Sequence, residues 1–243
     1  MRIEHSGASI VVLGTFRPDS FRLKALADAK VISQKDSAHA EILALLKEQV
    51  VNFGLPWASV LVDSTRLQVT TVEPPFIRIC DFVVKALNDL DTKYAVRAIG
   101  INYEAHVRFE DFKARDQFAM KIAPPSGWGH WGEAVANSLR HPPPSLLHGG
   151  LVGMTLRLPF ESGKVGGWRD VSVGRSDKIG GDLGVLLKSN HHHILAEAFN
   201  DEAQTHENPN IEDAHGVLLA ELSEQFDQSI KEAEGIFNQV LGL

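Results

Sequence analysis

The sequence predicts an α+β fold: a mostly antiparallel sheet with helices packed on one face and a long C-terminal amphipathic helix. Three observations carry that expectation. Short runs with a two-residue apolar period alternate with glycine- and proline-rich turns, as in an antiparallel meander. Two segments, 73–90 and 219–240, carry apolar residues at steps of three and four instead. Hydrophobic residues make up 44% and charged residues 23% of 243, enough for one sizeable core and too apolar for general disorder.

The elements follow in order. SIVVLG (9–14) reads as a short buried strand, and FRPDS after it supplies turn and N-cap chemistry for a short helix over Phe21 to Ala29. AEILALLKEQVVNF (40–53) begins with helical character and shifts toward strand composition near Val50 to Phe53. ASVLV-DST-RLQVTTV (58–72) has the pattern of a hairpin around a polar turn. EPPFIRICDFVVKALNDL opens a helix after two prolines, with Phe76, Ile79, Cys80, Val83, Val84 and Leu87 on one face.

AVRAIGINYEAHVRF (95–109) is the clearest strand. Ile99, Ile101, Tyr103, Ala105, Val107 and Phe109 take the core face; Gly100, Asn102, Glu104, His106 and Arg108 take the other. EDFKARDQFAMKI is expected as a short helix. Residues 123–150 hold five of the eleven prolines and read as a long surface excursion, with a short helix at EAVANSL. VGMTLRLPF, WRDVSV and LGVLLKSN complete the strands, with Val152, Met154, Leu156, Leu158 and Phe160 alternating in the first.

The last stretch is a polar, acidic connector (200–213) and a helix. Leu219, Leu222, Phe226, Ile230, Ala233, Phe237 and Val240 form an apolar seam along it. Residues 1–200 are thus expected as one α+β domain. Residues 201–243 are a connector and helix packed on that domain or on a second subunit.

Net charge is −7, and ten acidic residues against Lys231 alone lie from Asp201 onward, leaving the first 200 residues at +2. A broad nucleic-acid-binding face is disfavoured by that balance. No apolar run reaches the length of a bilayer span, and no secretory pattern opens the sequence. Cys80, the one cysteine, sits in an apolar helical setting that implies a buried, unreactive thiol. These features place the chain in the cytoplasm, without a membrane partner.

KSNHHHIL (188–195) is the most suggestive stretch. On a strand, His191 and His193 share a face and His192 opposes them. A metal would need a further ligand, for which His106 and Glu104 are the suppliers, giving a metal-activated water. Against it stand the absent H-E-x-x-H and Cys/His zinc spacings. Glu104 and His106 also form a candidate acid/base pair, whose plainer reading is the solvated face of a sheet. Trp128 and Trp131 flank His130 in a glycine-rich loop, where they either fold onto the core or contact a partner. Nucleophile-elbow, phosphate-loop, dinucleotide and C-x-x-C motifs are absent, and no cofactor is implied.

RLQVTTVEPPFIRICDFVVKAL followed by AVRAIGINYEAHVRFED resembles a sporadically distributed family of uncharacterised bacterial proteins. In that family a strand leads into a PPF or PPY helix start, and then a strand around AIGIN. GVLLKSNHHH and the closing helix are compatible with it, so the resemblance covers the chain in patches. It implies a bacterial or phage-related origin and an antiparallel α+β fold, and brings no catalytic residues.

The expectation for function is a non-catalytic interaction or assembly module of a multi-protein defence or phage-related system. Its partner, a protein or a second copy, would meet Trp128 and Trp131 or the helix seam at Leu219, Leu222, Phe226, Ile230 and Phe237. The alternatives are a metal-dependent hydrolase or nuclease on the His/Glu cluster, and a chaperone-like peptide-binding sheet.

Overall fold

Among the described residues, nine strands form one antiparallel sheet: β1 (Arg2–Thr15), β2 (Glu41–Leu46), β3 (Val50–Leu55), β4 (Ala58–Asp63), β5 (Arg66–Thr71), β6 (Ala95–Arg108), β7 (Gly153–Ser162), β8 (Val165–Arg175) and β9 (Gly184–Leu195). The helices are α1 (Leu23–Asp28), α2 (Gln34–Ala38), α3 (Ile77–Asp89), α4 (Phe112–Ile122), α5 (Gly129–Arg140) and α6 (Ile211–Leu241). The structure is a computed structural model that describes residues 1–46, 49–90, 94–140, 150–195 and 211–242. Parts of two expected segments, the RHPPPS run from residue 141 and the acidic connector up to residue 210, lie outside the described residues.

Strand order is β2-β3-β4-β5-β1-β6-β9-β8-β7, which leaves β2 and β7 at the edges. The two longest strands, β1 and β6, pair along nearly their whole length at the centre, Ile10 facing Ile101 and Ala8 facing Tyr103. The α+β architecture expected from the alternating runs is therefore present, with α3 and α6 packed against one face of the sheet and against each other.

That face is apolar because period two delivers it. Ile10 and Val12 of β1, Ile99, Ile101, Tyr103, Ala105 and Val107 of β6, and Leu187 of β9 are all buried. On α6, Leu218, Leu219, Leu222, Phe226, Ala233 and Phe237 close over them, and Tyr103 stacks on Phe237 at 5.6 Å. Burying a side chain such as Phe226 contributes about 3 kcal/mol from the apolar area alone. Cys80 lies in the same layer, where burial pushes its thiol up to about 12.

Three segments differ from expectation. Glu41–Leu46 and Val50–Leu55 pair as the hairpin β2–β3, where helical character was expected at the start of the segment. EILALL is apolar at nearly every position, and pairing with β3 decides what periodicity leaves open. The first strand extends from Arg2, because the polar stretch before Ser9 pairs with Val107 and His106 of β6. The helix expected at EAVANSL starts earlier, at Gly129.

The helix seam is corrected as an interaction surface. Leu219, Leu222, Phe226, Ile230 and Phe237 are all buried in the chain's own core, so this seam packs on the sheet of the same chain. Among the described residues no helix is long and apolar enough to cross a membrane.

Candidate functional site

β9 carries the triple histidine between two different environments. In antiparallel pairing, directly opposed residues share a face. His193 faces Ile99 and His191 faces Ile101, so both lie on the helix-covered side, and His192 faces Gly100 on the other. Strand alternation within β9 predicts that split.

Beneath α6 the two rings are packed 4.3 Å apart, and the ring of Phe160 meets them edge-on at 4.7 and 5.3 Å. His191 Nδ1 lies 2.7 Å from Ser229 Oγ and 3.1 Å from an Arg169 guanidinium nitrogen. Arginine can only donate, so Nδ1 holds the lone pair and the ring proton sits on Nε2. Arg169 in turn pairs with Glu232 of α6. His193 is 3.5 Å from Glu221 Oε1, but among the described residues neither ring nitrogen has a hydrogen-bond partner. Burial, followed by the Arg169 charge, pulls His191 down to about 4. Burial and the neighbouring histidines and Arg169 pull His193 down to about 3. Both rings are neutral at pH 7, so the Glu221 contact is no ion pair, and burial raises the Glu221 carboxyl as well.

On the opposite face, Arg157, Trp168 and His192 stack across three strands. The guanidinium lies 4.5 Å over the indole, and the indole lies 4.2 Å from the imidazole at an interplanar angle of 27°. Asp170 takes two 2.7 Å hydrogen bonds from Arg157, which holds that carboxyl below the usual range.

Glu104 and His106 also face this side, paired with Lys188 and Leu186 of β9. The proposed metal set is therefore divided: His106 and Glu104 lie across the sheet from His191 and His193. Register is the physical reason, since odd residues of β6 oppose odd residues of β9. Among the described residues no group of three or more His, Cys, Asp or Glu side chains is disposed to hold a metal ion.

The structure does bring Glu104 and His106 together, at 3.6 Å from Nε2 to carboxylate. Lys178 donates to the same carboxylate at 2.6 Å. Burial raises Glu104, but the Lys178 ammonium outweighs it and the net pKa is lowered. His106 is 1% exposed, and its Nδ1 sits 2.7 Å from Ser176 Oγ, a hydroxyl that also accepts from the Lys178 and Ile179 amides. Burial and Lys178 lower the basicity of His106. The turn closes the imidazole off and ties the carboxylate to an ammonium, an arrangement that fixes a loop onto the sheet.

Trp128 and Trp131 remain outside the core, 60% and 72% exposed. With Met120, Val135, Leu139 and Val152 they line a cavity of about 210 Å³ at the start of β7. Val152, Leu156 and Leu158 continue from it along the edge strand, 69%, 69% and 68% exposed. Alternation gave these residues the appearance of core positions. The missing signal is that, among the described residues, β7 pairs with β8 alone, at the sheet edge where α6 no longer covers them.

No protein-family model matches the sequence, and no curated protein matches it. Among solved structures, the chain is similar to a rolling circle replication initiator protein from Geobacillus stearothermophilus. The two share 10% identity and a TM-score of 0.29 over 90% of this chain and 96% of that one, a likeness too slight to carry an argument.

Proposed function

We infer that the chain is a non-catalytic interaction module of a bacterial cytoplasmic assembly, and that it docks its partner through the β7 edge and the tryptophan-lined cavity. The apolar surface formed by Trp128, Trp131, Val152, Leu156 and Leu158 carries the reading. Its exposed area is on the order of 600 Å², at the top of the range for the largest apolar patch on a monomer, a size that is often functional. The polar constellations support the same reading from the other side. His191, Arg169, Glu232 and Ser229 pair with one another beneath a helix, and Glu104 is neutralised by Lys178.

The test is sedimentation velocity on the purified chain, alone and mixed with the products of neighbouring genes, beside the variant L156E. Wild type is expected to form a complex that L156E does not. A wild-type chain that stays monomeric and binds none of those products overturns the proposal.

A further inference from the structure

We propose that the partner at the β7 edge is a second copy of this chain, joined by antiparallel β7–β7 pairing about a two-fold axis at Leu156. This rests on the interaction reading above and names its occupant.

The strand is suited to extension. β7 runs ten residues and pairs with β8 from Gly153 to Ser162 without a register irregularity, so its outer edge is a straight row of backbone donors and acceptors. β2, the other edge, is six residues long and broken by an irregularity between Ile42 and Ala44, which disrupts a continuous ladder.

Side-chain chemistry then selects the register. With Leu156 opposite Leu156 of the partner subunit, Leu158 falls opposite Met154 of the partner subunit and Phe160 opposite Val152 of the partner subunit. Apolar residues thus meet along the whole helix-side ridge. On the other face Arg157 falls opposite Thr155 of the partner subunit, and no like charges meet. Of the two neighbouring registers, the one centred on Arg157 opposes it to Arg157 of the partner subunit, a destabilising pair, and the one centred on Thr155 leaves Phe160 opposite Gly150 of the partner subunit, with one apolar pair fewer. Pro159, which lacks an N–H, lands opposite Gly153 of the partner subunit at both ends of the symmetric ladder, where the one bond missing at each end costs least.

The same axis brings the tryptophan cavity at Val152 beside the Phe160 end of the other β7, so Trp128 and Trp131 extend the contact beyond the strands. With the tryptophans included and fully covered, two such patches on the order of 600 Å² each give roughly 1,200 Å², the lower bound of stable interfaces. The closed two-fold consumes both β7 edges and leaves no growing end there.

Analytical ultracentrifugation of the full chain decides it, with circular dichroism to verify each variant's fold. Wild type is expected at twice the chain mass and L156E at one. T155R sets a second guanidinium against Arg157 of the partner subunit and is expected to weaken the dimer about tenfold, whereas T155E tightens it several-fold. Because Thr155 is exposed and polar, this pair decides the matter even if L156E disturbs folding. A dimer indifferent to all three substitutions overturns the proposal. So does a wild-type chain that stays monomeric; if that monomer still captures a neighbouring gene's product and L156E does not, the interaction reading survives without the second copy. A monomer that captures nothing ends both.

Discussion

His193 and His192 are adjacent in sequence, yet they inhabit different solvents. The first is buried between Ile99, Phe160 and α6 with no hydrogen-bond partner on either ring nitrogen among the described residues. The second lies on the open face, stacked on Trp168. Both have lowered basicity through burial, but only His193 and its companion His191 reach values near 3 and 4. The difference teaches that a run of identical residues on a strand is two sets with two jobs. The covered pair belongs to the packing that holds α6 down, and the odd one out belongs to a surface.

The contrast between covered and open faces can be tested in steps. The largest effect is expected on the covered side, where F226A leaves a cavity under α6 and costs about 3–5 kcal/mol. Urea denaturation followed by circular dichroism measures it, and a loss below about 1 kcal/mol means that α6 is not seated as described.

Next comes pH. An unfolded histidine binds its proton near 6.5, while folded His191 and His193 resist until about 4 and about 3. The unfolded chain therefore binds more protons below pH 6.5, so stability falls as pH drops from 6.5 toward 4 and the loss levels off below 3. Glu221, whose raised carboxyl gains its proton early in the fold, offsets a little of this. H193L removes one titrating ring and is expected to exceed wild type in stability by about 2 kcal/mol at pH 5. Equal pH profiles for the two proteins, in thermal melts across pH 5–7.5, contradict the neutral buried ring.

A smaller effect is expected from S229A, which removes the hydroxyl beside His191 Nδ1 and costs about 1 kcal/mol, since Arg169 still donates to that atom. Guanidinium titration at pH 7 measures it; a loss above about 3 kcal/mol shows Ser229 to be indispensable to the cluster. H192A on the open face removes only a stacking contact and is expected to cost less than about 1.5 kcal/mol. A larger loss, read from amide-exchange protection of β8 and β9, shows the open-face ladder to be part of the stabilising core.

The elements legible in sequence were those with one period and one environment. β6 alternated because one face meets α6 and the other does not, and α6 stepped by three and four because a single side of it is covered. The hairpin β4–β5 announced itself through its DST turn. β2 did not, because Ile42, Leu43, Leu45 and Leu46 are exposed on both faces and an unalternating apolar run has no strand signature. The candidate site was legible within each strand and illegible between strands. Whether His106 could reach His193 depended on the register of β6 against β9, which no local pattern encodes. Arg169 and Glu232, the pair that locks His191, are joined only by tertiary packing.

The position of β1 has a kinetic consequence. It lies in the middle of the sheet, and its Ile10 needs Val69 on one side and Ile101 on the other. Its first neighbours along the chain provide neither, so the central ladder closes only after long loops have been brought together. Acquisition of the native state should accordingly be slow for a molecule of this size, paced by chain search rather than by the quick coiling of its helices.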